Sequence, residues 1–134
     1  MKRIVFDSYA IIALLRKEAG FEVVRNLLMQ ISQNKAEGFI TTINAGEVYY
    51  MISRKSNAKY AEDALNVILQ LPLEIITADL ALAIEAAKLK SRFSMSYADA
   101  FVAALTISKK ATLITGDKDF DQLISQRDFK VLYV

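Results

Sequence analysis

The chain has 134 residues, with 17 Lys and Arg against 15 Asp and Glu, a net charge of +2, no cysteine and no histidine. That length fits one domain spanning residues 1–134 with a proper core, and a charge this small does not argue for nucleic acid by itself. Without cysteine there are no disulfides or thiolates, and without histidine there is no Ser-His-Asp catalysis, histidine base or ordinary zinc site. Carboxylate, lysine, tyrosine and hydroxyl chemistry remains.

In chain order, residues 2–6 read as a buried strand and 8–16 as a helix capped by Asp7. Residues 21–31 carry helical spacing through Phe21, Val24, Leu27, Leu28 and Ile31. A strand over 38–42 leads to a helix over 45–53 opened by Asn44, then an amphipathic helix over 58–69. Pro72 separates that helix from a short strand over 73–76. An alanine-rich helix follows over 80–90, then a very apolar one over 97–108 opened by Ser96. Residues 112–115 form a strand, 120–124 a short helix and 130–134 a last strand. Alternating strands and helices predict an α/β fold with a parallel sheet covered on both faces. Right-handed crossovers then gather the carboxyl ends of the strands on one edge, where open α/β folds bind ligands.

No apolar run approaches a membrane span, and the amino terminus reads as a strand rather than a signal peptide, so a cytoplasmic protein is expected. The hydrophobic content of 54% and mean hydropathy of +0.25 are high for a small soluble domain, which points to apolar surface that meets a partner.

Four acids sit where strands end or helices begin: Asp7, Glu47, Asp99 and Asp117. Each has a plain structural reading. Asp7 suits an N-cap, Asn44 with Glu47 and Ser96 with Asp99 match capping boxes, and Asp117 suits a turn. Capping and catalysis are compatible at one position, because a helix amino terminus favours ionised carboxylate. Gathered on one sheet edge, the four would repel one another unless a hard cation such as Mg²⁺ or Mn²⁺ sat among them. Asp119 is a further ligand or water-orienting acid, and Asp121 a solvated helix residue. Ser8 and Thr115 offer hydroxyls to orient a carboxylate, or to satisfy the backbone.

Four stretches carry a resemblance. They are Ile4-Val5-Phe6-Asp7-Ser8, Asn44-Ala45-Gly46-Glu47-Val48, Ser96-Tyr97-Ala98-Asp99-Ala100-Phe101 and Leu113-Ile114-Thr115-Gly116-Asp117-Lys118-Asp119-Phe120. In order and spacing the chain resembles a PIN-domain ribonuclease, and within that group a VapC-like toxin of a toxin–antitoxin pair. The resemblance implies a three-layer sandwich around a parallel sheet, with Asp7, Glu47, Asp99 and Asp117 as catalytic and metal-binding acids and Asp119 as an auxiliary ligand. It implies Mg²⁺ or Mn²⁺ as cofactor and hydrolysis of RNA, tRNA or rRNA, by a metal-activated water. It also implies a homodimer and a cognate antitoxin lying across the acidic groove.

RNA must be gripped by its backbone, and the candidates are Arg16 and Lys17, Arg54, Lys55 and Lys59, and Lys88, Lys90 and Arg92. Basic residues near helix carboxyl ends also serve the helix dipole alone. Tyr49 and Tyr50 are positioned to stack on bases or to pack. Three rivals stand beside the toxin. An aspartyl-phosphate phosphatase wants a second aspartate where Tyr9 stands, and Lys118 poorly fits its sheet-edge lysine. A non-catalytic RNA- or protein-binding module would have shed acids that are all present here, and a housekeeping RNA-processing nuclease would share the chemistry.

Overall fold

Five parallel strands carry the architecture in the order β3-β2-β1-β4-β5. They are β1 (Lys2–Phe6), β2 (Ala36–Thr41), β3 (Glu74–Ile76), β4 (Thr112–Thr115) and β5 (Lys130–Tyr133). The helices are α1 (Ser8–Arg16), α2 (Phe21–Ser32), α3 (Thr42–Lys55), α4 (Ala58–Gln70), α5 (Leu80–Arg92), α6 (Tyr97–Lys109) and α7 (Asp121–Ile124), with a 3₁₀ turn over Lys118–Phe120. This computed structural model describes residues 1–125 and 129–134. Among the described residues no helix is long and apolar enough to cross a membrane.

Alternation along the strands builds two cores. Ile4 and Phe6 of β1, Ile40 of β2 and Ile114 of β4 face a layer of α1 to α4, packing with Ile11, Val24, Val48 and Ile68. Val5, Phe39 and Leu113 face the opposite layer, packing with Ala86 of α5 and Val102 and Leu105 of α6. A sheet covered on both sides needs apolar residues at successive positions, which is why these strands read as unbroken hydrophobic runs. The expected α/β sandwich is the observed one.

Gly38 of β2 sits where Ile31 of α2 and Leu73 close directly over the strand. A Cβ there would lie 2.4 Å from Ile31 Cδ1 and 2.6 Å from Leu73 Cδ2. Both neighbours belong to the packed core or its border. Gly38→Ala is expected to destabilise the protein by about 1–2 kcal/mol through overpacking, read as a lower urea midpoint.

One boundary differs from its expectation in a way that bears on function. Helix α3 is opened by Thr41, not Asn44: Thr41 Oγ1 accepts from the Asn44 backbone N–H at 2.9 Å. The Thr41 hydroxyl also donates to the Asn44 side chain. Strand β2 runs into α3 with Thr41 as the sole joint, so the first helical turn is 42–45 and Glu47 lies beyond it. Glu47 is therefore not a capping-box partner. At Asp7 and Ser96 the capping geometry is as the spacing predicts, with bonds from Ala10 N and Asp99 N.

Candidate active site

Strands β1 and β4 are adjacent, with Phe6 opposite Ile114, so the next residues, Asp7 and Thr115, emerge side by side at the carboxyl edge. Asp7 continues the ladder by donating its N–H to Ile114 O at 3.3 Å. Its side chain is buried, with Oδ1 accepting from Ala10 N at 2.8 Å and Oδ2 accepting from the Thr115 hydroxyl. The same hydroxyl accepts from Asp117 N at 3.0 Å, and Asp117 Oδ1 accepts from Asp119 N at 2.9 Å. Thr115 thus ties the acid of β1 to the turn that carries two more.

The other two acids arrive from helices. Glu47, one turn into α3, accepts from Ser8 Oγ at 2.6 Å and from Asn44 Nδ2 at 3.5 Å. Asp99 lies in the first turn of α6. A cavity of about 340 Å³ is lined by Asp7, Glu47, Asp99, Asp117 and Asp119 together with Ser8, Tyr9, Met51 and Ser96. All five acids singled out from the sequence meet in it. Within it Asp99, Asp117 and Asp119 each place a carboxylate oxygen within 4.8 Å of the others. Asp119, expected as an auxiliary, thus stands in the tightest group of acids.

Tyr9 and Met51 are wall residues for which the sequence holds little signal. Tyr9 lies against Gly116, where a Cβ would stand 2.1 Å from its ring. Met51 follows Glu47 by four residues, which is the one signal that places it on the same helix face.

The pocket carries an excess of negative charge. Burial, opposed by the Thr115 and Ala10 hydrogen bonds and reinforced by Asp99 and Glu47, pushes Asp7 up from 3.8 to about 7. Burial, then the charges of Asp117, Glu47 and Asp119, pushes Asp99 up to about 6 against a hydrogen bond with Ser96. Among the described residues the ion pairs lie elsewhere, at Arg3–Glu37, Arg16–Glu18, Lys59–Asp63 and Lys88–Glu85. Lys118, between Asp117 and Asp119, sets its ammonium 3.7 Å from the Tyr133 ring centroid. The Tyr133 hydroxyl donates to Asp121 in turn, and burial first and Asp121 second raise its pKa.

An all-oxygen donor set that repels itself, with no described cation paired to it, fits a hard divalent ion. Asp99, Asp117 and Asp119 are the residues placed to hold one together. The buried Thr115 hydroxyl serves both sides of this arrangement. Thr115→Val would leave Asp7 Oδ2 without its donor and the Asp117 N–H without its acceptor. A loss of about 2 kcal/mol is expected in denaturant unfolding, with weaker Mn²⁺ binding by titration.

Several solved structures share the fold. VapBC2 from Rickettsia felis, bound to a fragment of promoter DNA, superposes with a TM-score of 0.76 at 16% identity, covering 98% of each chain. VapC20 from Mycobacterium tuberculosis, described as a toxin that cleaves the sarcin-ricin loop, gives 0.74 at 17% identity over 90% of this chain and 95% of its own. DNA-bound VapBC from Salmonella typhimurium gives 0.74 at 15%, over 99% and 98%. No curated protein matches the sequence significantly. Residues 4–124 match the PIN domain family, a span that runs from β1 through α7 and takes in all five acids of the cavity. On that match, the chain belongs to the PIN domain family.

Proposed function

We propose that this chain is a divalent-metal-dependent endoribonuclease and the toxin of a VapBC-type toxin–antitoxin pair. The observation that carries the reading is the uncompensated cluster of acids at the carboxyl edge of the sheet. A structural role for five gathered carboxylates would call for basic partners, and none of the described ion pairs involves them.

Asp7, Glu47, Asp99 and Asp117 are the catalytic acids, with Asp119 completing the metal site. A bound Mg²⁺ or Mn²⁺ would acidify the attacking water and neutralise charge on the scissile phosphate. The chain's own residues prepare that chemistry. Thr115 fixes Asp7 by one hydrogen bond, and Ser8 holds Glu47 Oε1 at 2.6 Å. Ser96 seats Asp99 at the start of α6 through its backbone N–H. The bare acids repel the scissile phosphate, so a bound cation would be needed to seat it among them, while flanking RNA can be held outside the pocket.

The antitoxin and a homodimer are part of the proposal. The solved VapBC structures pair such a fold with a partner protein, and exposed Leu80, Ile84, Tyr97 and Ile107 on α5 and α6 supply apolar surface. A cytoplasmic location follows from an RNA substrate, tRNA or rRNA.

The test is cleavage of mixed tRNA and rRNA by the purified, partner-free protein with Mg²⁺, with Mn²⁺ and with EDTA. Cleavage that requires the cation is expected. Cleavage that survives EDTA, or no cleavage with either ion, would overturn the reading.

A further inference from the structure

The acidic cavity has a basic neighbour. Met51 lines both the acid pocket and a second groove of about 410 Å³, whose other walls are Tyr50, Arg54 and Lys55. These residues follow Glu47 along α3 at offsets of three, four, seven and eight, which places them on one helical stripe leading away from the acids. From Glu47 to Arg54 the stripe extends roughly 10 Å by the rise of a helix.

Several of the other basic residues that could grip RNA are engaged elsewhere, although Lys17, like Arg54 and Lys55, has no acid partner among the described residues. Arg16 pairs with Glu18, Lys59 with Asp63 and Lys88 with Glu85, while Lys90 donates to Met95 O. Arg54 and Lys55 are exposed and have no acid partner among the described residues. The two tyrosines divide in the same way. Tyr49 donates its hydroxyl to Glu62 on α4 at 2.7 Å, whereas Tyr50 is 48% exposed on the groove. Dipole compensation accounts for two cations at a helix carboxyl end. It does not account for an open aromatic face beside them, in a groove that shares a wall with a strongly acidic pocket.

We infer that the Tyr50–Met51–Arg54–Lys55 groove is the track that binds the single-stranded RNA flank of the scissile bond. This rests on the nuclease reading above. Arg54 and Lys55 hold phosphates, and an unstacked base lies on Tyr50. The strand then crosses Met51 into the acids. Stacking on a side chain requires a base freed from its neighbours, so the track selects loops and single strands over duplex.

Binding of a fluorescein-labelled single-stranded oligoribonucleotide is measured by anisotropy in EDTA, so that nothing is cut, for wild type, Arg54→Glu with Lys55→Glu, and Tyr50→Ala. The charge-reversed pair is expected to bind at least about 10-fold more weakly and to lower the salt slope by about two. Tyr50→Ala is expected to lose about 10-fold for single strands and nothing for duplex. In cleavage with Mg²⁺ the same variants raise KM and leave kcat within about 2-fold. Matching thermal midpoints show that the variants are folded.

The outcomes separate the two readings. Wild type that binds with these dependences but cuts nothing leaves the track standing and removes the nuclease. Wild type that cuts, with variants unchanged in affinity and KM, removes the track and assigns the face to a protein partner. A wild type that neither binds nor cuts overturns both.

Discussion

Asp99→Asn is expected to abolish RNA cleavage, by at least about 100-fold in kcat/KM, while making the metal-free protein more stable at about pH 8. The two effects have one cause. Asp99 is pushed up to about 6 because burial and the charges of Asp117, Glu47 and Asp119 act on its ionised form. Removing that charge relieves the fold and takes one donor from the group of three acids placed to hold a cation. The stabilisation is about 1 kcal/mol, since Asp99 is only part-buried and water screens the repulsion. Cleavage of tRNA and rRNA and urea unfolding on the same preparations check it. A variant that is inactive and also less stable would mean that Asp99 has a structural role, and the repulsion argument would fail.

Metal-free protein should lose about 3 kcal/mol of stability between about pH 4 and pH 7, and millimolar Mn²⁺ should restore most of it at the upper end. The sign follows from proton counts. Asp7 holds its proton up to about 7 in the folded state against 3.8 ordinarily, so across that window the folded chain binds more protons than the unfolded one. Stability is then fully present below about 3.8 and drains as pH rises through 7. Asp99 adds a drop of the same sign that ends near 6. A cation among the acids replaces the protons, so its benefit grows with pH. Urea midpoints across the range, with EDTA and with Mn²⁺, measure both parts. A midpoint that rises from pH 4 to pH 7 in EDTA would show Asp7 to be ionised and compensated.

Much of this site was legible in the sequence for a topological reason. Parallel βα units deliver the carboxyl ends of β1 and β4 to one edge, so Asp7 and Asp117 converge whatever the details of the loops. Helix starts at Ser96 and Asp7 follow from short-range capping chemistry. The start of α3 did not, because Thr41, Thr42 and Asn44 can all cap, and the choice depends on how far β2 runs before the chain turns. The fate of the charged residues was hidden as well. That Lys118 stacks on Tyr133, fifteen positions away, follows from the pairing of β5 with β4 and from no local spacing. Which basic residues are paired is likewise set by neighbours that only the folded chain supplies.

The position of β4 has a consequence for synthesis. The cavity draws on residues 7, 47, 99, 117 and 119, and the last two follow a strand that must settle between β1 and β5. A chain growing from its amino terminus can pair β1 with β2 and pack α1 to α4 early. It has no acid turn until β4 has left the ribosome and docked against β1. Every shorter nascent chain therefore lacks two of the five acids, and on the nuclease reading proposed above it would leave the RNA around it uncut.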